Sequence, residues 1–279
     1  MVNNSDPWTR SSMLTWSRLA PNPGPMTLEG TNSYVIVNPA SGIHPGRSTS
    51  TKGVVVVDPG PLDEPHLRAL ADCGAVELVL ITHHHRDHTA GSSRFHEMTG
   101  APIRALDPDY CIGAAPLIPG ENIEAADVQI EVIATPGHTA DSLCFALPDD
   151  GENGSVLTGD TILGRGSTVI CYPDGRLGSY LRSLETLQRL GPALVLPAHG
   201  PVRPELAAVA GEYLAHRHSR LAQLRAALLR LGPEASVQAV TANVYSDVPE
   251  SVRAAAELSV AAQLDHLRRA EADASQPRP

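Results

Sequence analysis

Aromatic side chains are scarce in this sequence, with two Phe, two Trp and six Tyr in 279 residues. Proteins that hold single strands without sequence preference stack bases on aromatic rings, so little is available here for a long platform of that kind. Positive charge is short as well: 21 Lys and Arg stand against 31 Asp and Glu, a formal charge of -10 at pH 7. The deficit lies in the first 200 residues, which carry 12 basic and 22 acidic side chains, whereas the remainder carries nine of each. Such a surface does not draw phosphate backbones from a distance. That argues against general nucleic-acid binding and sequence-specific DNA recognition, though not against cleaving RNA at a local cationic site. The four cysteines, Cys73, Cys111, Cys144 and Cys171, have no CxxC spacing, so reduced thiols are expected rather than a disulfide framework or a thiolate zinc cluster. No run approaches the roughly 20 apolar residues that a membrane span needs. The first twenty residues lack a basic start followed by an apolar run, so no signal peptide is read and the cytoplasm is the expected compartment.

What the chain does have is a globular hydrophobic fraction, 42%, and a regular alternation of strand-like and helix-like segments. Residues 31–37 and 53–57 read as strands separated by a Pro/Gly/Ser-rich loop, the second stopped by Asp58-Pro59-Gly60. A short helix is expected over 64–72 and a buried strand over 77–81. Further strands are expected at 128–134, 142–147, 155–158 and 193–196. A helix over 178–190 carries Leu181, Leu184, Leu187 and Leu190, read as one apolar stripe. Strands with interspersed helices make the class α/β. From about 204 the texture changes to Ala, Leu and Arg. One long helix ends at Gly232-Pro233, and two more are expected near 236–245 and 249–269. The expected organisation is a catalytic domain over 1–203, a small helical domain over 204–270 and a polar tail over 271–279.

The segment Thr82-His83-His84-His85-Arg86-Asp87-His88 directly follows the strand expected at 77–81. Imidazole nitrogen and carboxylate oxygen suit zinc and other borderline divalent ions. A strand end holds the backbone, and a turn after it lets four side chains converge. His83 and His85 can share one side, while Asp87 and His88 turn toward a second position. Two sets so close together point to two metal ions. His84 reads as a spacer. His44, His66, His96 and His266 belong to no cluster and default to surface or packing roles, and His216 and His218 sit too close in sequence to share a helix face.

Downstream pieces give this segment its context. Asp58 ends a strand; His138 lies in Thr135-Pro136-Gly137-His138-Thr139, Asp160 in Thr158-Gly159-Asp160-Thr161, and His199 in Pro197-Ala198-His199-Gly200. Together these landmarks resemble the metallo-β-lactamase superfamily. Residues 22–32 (NPGPMTLEGTN), 159–168 (GDTILGRGST), 213–217 (YLAHR) and 244–250 (VYSDVPE) resemble, within it, the β-lactamase-like protein 2 family. The resemblance spans about residues 20–270. It implies a four-layer αββα sandwich with its site at one edge of the sheets, and a small winged-helix-like appendage formed by the C-terminal helices. It implies that His83, His85 and His138 hold one metal and that Asp87, His88 and His199 hold the other. Asp160 would bridge both, and Asp58 would orient a ligand from behind. No Cys is among the implied ligands, which speaks against β-lactamase activity.

The resemblance further implies a hydrolase in which a hydroxide shared by two divalent ions attacks phosphorus or a carbonyl carbon, with Asp87 orienting it. Zinc fits the donors best, and manganese or iron also occupy such sites. Two substrate classes follow: single-stranded RNA, cleaved by an endoribonuclease as in the nearest family, or small acyl thioesters, as in glyoxalase-II-like relatives. An iron-dependent redox protein would be expected to bring an extra flavodoxin-like domain, and a noncatalytic binding protein would not need the complete ligand set. Asn32, Arg165, Ser167 and Thr168 sit in loops expected to border the cleft. Arg165 or Arg217 could pair with phosphate, although an arginine outside any cluster reads first as exposed. The C-terminal helices are expected to have a packing or lid role rather than to bind DNA, and a homo-oligomer is compatible with the sequence.

Overall fold

A computed structural model describes residues 8–46, 52–246 and 249–275. The side chains of 271–275 are outside that description. So are residues 276–279 of the expected tail, and Asp247 and Val248 of the motif at 244–250.

Two mixed sheets form the centre. The first holds β1 (Trp8–Arg10), β2 (Thr15–Leu19), β3 (Asn32–Ile36), β4 (Gly53–Val57), β5 (Ala75–Leu80) and β6 (Ile103–Arg104) in chain order. The second runs β11 (Leu194–Pro197), β10 (Ser155–Gly159), β9 (Leu143–Leu147), β8 (Val128–Ala134), β7 (Asn122–Ala125). The helices α1 (Glu64–Ala71), α2 (Arg86–Thr89) and α3 (Ser92–Thr99) accompany the first sheet, and α4 (Leu177–Arg189) the second.

Side-chain alternation explains why consecutive apolar residues are needed. Tyr34, Ile36, Val55, Val57, Leu78 and Leu80 point between the sheets and meet Ile130, Val132, Phe145 and Leu157. Their neighbours Val35, Val54, Val56, Val79 and Ile81 point the other way, onto Leu67 and Leu70 of α1 and Phe95 of α3. Ile133, Cys144, Val156 and Val195 leave the second sheet on its far face and pack against Tyr180, Leu184 and Leu187 of α4. These are the four layers αββα, the architecture expected of the sequence.

The chain then continues as α5 (Leu206–Leu231), α6 (Val237–Val244) and α7 (Arg253–Ser275). Leu221 and Leu224 of α5, Val240 of α6, and Val260, Leu264 and Leu267 of α7 belong to the same buried cluster as α4. The appended helices are therefore cemented to the sandwich by a shared core. No strand is present after β11 among the described residues. The last helix runs to Ser275, past the 269 expected, because Ala and charged residues continue without a Gly or Pro.

Two expectations need correction. Leu190 is 41% exposed and lies outside the buried stripe of α4, which is formed by Leu177, Tyr180, Leu184 and Leu187. Steps of three fall short of the 3.6-residue turn, so four leucines at that spacing drift about half way round the helix. Several elements were also not anticipated: β1, β2, β6, β7 and α3. Strand β7 joins β8 through Ala126-Asp127, both with positive φ (51° and 54°), a two-residue hairpin turn made without the Gly or Asn that usually advertises one.

Candidate metal centre

All seven residues expected as ligands follow strand ends on the same edge of the sandwich, and their side chains converge. After β5 a bent, non-helical stretch leads to His85, which caps α2, and the first turn of that short helix carries Asp87 and His88. His83 Nε2 and His85 Nδ1 lie 3.0 Å apart, and His138 Nε2 lies 3.0 Å from the same His85 nitrogen. Asp160, after β10, turns Oδ2 toward this group, at 3.9 Å from His83 Nε2 and 3.6 Å from His138 Nε2. Its other oxygen, Oδ1, faces His199 Nε2 at 3.2 Å and His88 Nε2 at 3.7 Å. Asp87 Oδ2 completes that second group, 3.1 Å from His199 Nε2 and 3.3 Å from His88 Nε2. Within each group the ligand atoms lie within 4.8 Å of one another, and Asp160 faces both groups.

The nitrogens that turn away from the centre on four of the histidines are held by the fold. His138 sits in a turn where Gly137 (φ +152°) runs against α4; a Cβ there would lie 2.4 Å from Tyr180 Cα. Its Nδ1–H donates to the Val169 carbonyl at 2.6 Å, and the Nδ1–H of His199 donates to Gly30 at 3.1 Å. Asn32 clamps the His199 loop by donating to the carbonyls of Pro197 and Gly200, both at 3.0 Å. Asp58 adopts φ +51°, a strained value for a residue with a side chain, and uses it to serve two partners. Its carboxylate accepts from the Thr82 backbone (2.8 Å) and hydroxyl (2.7 Å), and lies 2.8 Å from His88 Nδ1. The Thr82 hydroxyl is thereby committed as a donor, so it accepts from His83 Nδ1–H at 3.0 Å.

These hydrogen bonds leave the inward nitrogens as the atoms open to a proton or a metal ion. His83 Nε2 and His138 Nε2 both approach His85 Nδ1, which has at most one proton to give, so one close contact sets lone pair against lone pair unless a cation lies between them. In the second group His88 Nε2, His199 Nε2 and Asp160 Oδ1 are buried without hydrogen-bond partners. Buried polar atoms are rarely left so. The two clusters are suited to two metal ions.

Electrostatics separate the groups. Burial pushes His83, His85 and His138 down, His85 to about 4. Burial acts the same way on His88 and His199, but the carboxylates of Asp58 and Asp87 hold His88 well above its ordinary value, and those of Asp160 and Asp87 lift His199 to about 10. For Asp87 and Asp160 burial pushes upward, and the surrounding His88 and His199 outweigh it, so both stay charged well below the usual carboxylate range.

A cleft of about 260 Å³ opens beside this centre. His138 and Asp160 line it together with Met26, Leu28, Leu163 and the loop carrying Arg165, Ser167 and Thr168. Its remaining wall comes from α5 and α7, through His216, Arg217, Arg220, Ala255 and Ser259, with Tyr245 beside them. Arg165 is exposed and tied to Glu29. Arg217 is 3% exposed, against the expectation of a surface arginine, because the α5 face that carries it turns onto Tyr180, with Cζ 5.1 Å from the ring centroid. Asn32 is absent from the lining of this cleft; its side-chain amide is spent on the His199 loop. His84 pairs with Asp141 at 2.8 Å in a separate group with Asp174. His66 is buried against Ser33, a packing role.

Sequence reasoning missed Thr82, the Gly30 and Val169 carbonyls, and Arg220. A signal existed for the last: His216 and Arg220 are four residues apart on one helix, hence on one face.

Residues 26–199 match the metallo-beta-lactamase superfamily, and 236–271 match the beta-lactamase associated winged helix domain. The chain is 31% identical over 250 residues to the beta-lactamase-like protein 2 homolog of Caenorhabditis elegans, covering 85% of this chain and 78% of that one. It is 32% identical over 220 residues to lactamase-like protein adaB of Aspergillus niger, 76% of this chain but only 63% of the relative's length. A metallo-beta-lactamase family protein of Thermus thermophilus shares the fold at a TM-score of 0.73 and 21% identity, over 92% of this chain and 94% of that one. With these matches lying on the strands and turns that gather the seven side chains, the chain belongs to the metallo-beta-lactamase superfamily and, within it, to the beta-lactamase-like protein 2 family.

Proposed function

We propose that this hydrolase acts on small acyl esters or thioesters, using two divalent ions. His83, His85 and His138 would hold one ion, Asp87, His88 and His199 the other, and Asp160 both through its two oxygens. Imidazole-rich nitrogen and oxygen donors suit zinc, and the lack of a thiolate keeps manganese and iron as alternatives. Bound there, a pair of divalent ions supplies an acidified water and an electrostatic sink for charge developing on the substrate oxygen. The protein's part is orientation. Asp58 and Thr82 keep His83 and His88 in one tautomer with Nε2 facing inward. Asp87, the more exposed of the two inward carboxylates at 26% against 12%, remains charged and can orient a water as a hydrogen-bond acceptor.

The observation that carries the choice of substrate is the cleft. It is small, about 260 Å³, and much of its lining is apolar, as in Met26, Leu28, Leu163, Val252 and Ala255. Such a space suits an acyl chain better than an extended polynucleotide. A second reading, an endoribonuclease on single-stranded RNA, is favoured by family kinship and by Arg217 and Arg220 in the wall. Against it, among the described residues Tyr245 is the only aromatic ring in the lining besides the histidines, and Arg220 already covers it at 4.5 Å.

Metal-replete protein assayed on a panel of acyl thioesters and on labelled single-stranded RNA tests the reading, with Asp87→Ala/His88→Ala as control. Thioester turnover lost in the control is the expected result. RNA cleavage lost in the control, without thioester turnover, would overturn it in favour of the second reading.

A further inference from the structure

Arg217 is a buried cation without a counter-ion. Among the described residues no carboxylate lies within 4.0 Å of it, its Nε has no hydrogen-bond partner, and Nη2 donates to the Thr168 carbonyl. Arg220, one helical turn further on, is also without a carboxylate: it donates to Gln223 and lies over the Tyr245 ring. The two guanidinium groups and His216 line the same cleft as His138 and Asp160. In a chain of net charge -10, a buried arginine left unpaired is costly unless something else neutralises it. Ionised acidic side chains elsewhere in the fold meet their arginines, as Glu29 meets Arg165 and Glu121 meets Arg104.

We propose that Arg217 and Arg220 form a binding subsite for a compact oxyanion, a carboxylate or phosphate carried by the substrate away from its scissile bond. The planar Nε–H and Nη–H edge of a guanidinium matches two oxygens of such a group, which a lysine would not do. The subsite rests on the hydrolase reading and sharpens it: the preferred substrate is an acyl compound with an anionic terminus. It also places the appended helices in substrate selection, since Arg217 and Arg220 both lie on α5.

The subsite is tested on metal-replete, ¹⁵N-labelled full-length protein, titrated with inorganic phosphate in one arm and succinate in another. The probe signal is the Arg217 Nε–H resonance, assigned by its loss in Arg217→Lys. A saturable shift at about 10 mM or below, weakened about tenfold in Arg220→Met, is expected, and the arm that saturates first identifies the anion. With thioester substrates, Arg220→Met should raise KM about tenfold more for acyl groups ending in a carboxylate than for their neutral analogues. An unmoved resonance in both arms overturns the subsite. So does an Arg217→Lys variant that alters charged and neutral substrates alike, since that is what a purely structural brace on the Thr168 loop would do. If the resonance shifts but no thioester is hydrolysed, the reading of the reaction fails and the subsite stands.

Discussion

The cleft is lined by two surfaces built on opposite rules. At the metal centre His83, His88, His138 and His199 are braced from behind, His88 by Asp58, His83 by Thr82, His138 by Val169 and His199 by Gly30. What is left unsatisfied there faces inward, into the two adjoining ligand groups. On the helical wall the bracing is sparser: Arg217 leans on Tyr180 and one carbonyl, Arg220 on Tyr245, Gln223 and the Val244 carbonyl. A reaction centre needs its donors fixed to within a fraction of an ångström, whereas a surface that selects among substrates needs only unspent donors. On the proposed function, the braced side would carry the chemistry and the sparsely braced side would select the substrate.

The largest expected effect belongs to the braced side. Asp160→Asn removes the one carboxylate facing both groups, so metal content measured by elemental analysis should fall below two ions per chain and kcat/KM by about a thousandfold or more. Full occupancy in that variant would break the comparison. Next is the core beneath the wall. Leu224 is fully buried in the cluster shared by α4 and α5, so Leu224→Ala should cost about 2–5 kcal/mol in urea unfolding, in a single transition. A separate early transition for the helices would show that the wall is an independent unit.

Acid should act on the other half. Burial lowers the His66 pKa to about 4, so the unfolded chain, at 6.5, takes up the proton first as pH falls. This contribution to stability is present above about 6.5 and is lost progressively toward 4, on the order of 3 kcal/mol in all. His66→Gln should flatten that part of the stability profile followed by urea titration. The smallest effect sharpens the role of bracing itself: Asp58→Asn should weaken metal binding 10- to 100-fold, by chelator competition, while leaving both guanidinium groups untouched. No change in affinity would mean that the brace is ornamental.

Much of this was legible in the sequence because it follows from local rules. The strands β4 and β8 were placed at the residues they occupy, since Val-rich segments bounded by turn residues have few other readings. The histidine segment was legible for a related reason: ligands crowded behind a strand end have little alternative use. Strand β7 was hidden by a hairpin turn without Gly, and β1 and β2 are short, with pairing as their main support. Arg217 illustrates the harder case. Nothing in the neighbouring residues says whether an arginine on an amphipathic helix faces water or a tyrosine from another helix.

Sequence alone determined the donor types, their order along the chain and the class of fold, because these depend on residue identity and on spacing within a few residues. Tertiary structure decided which imidazole nitrogen faces inward, how Asp160 divides its two oxygens, and which arginines are left without a partner. Each of those depends on groups brought together from distant strands and helices, and distance in space is what one-dimensional spacing does not carry.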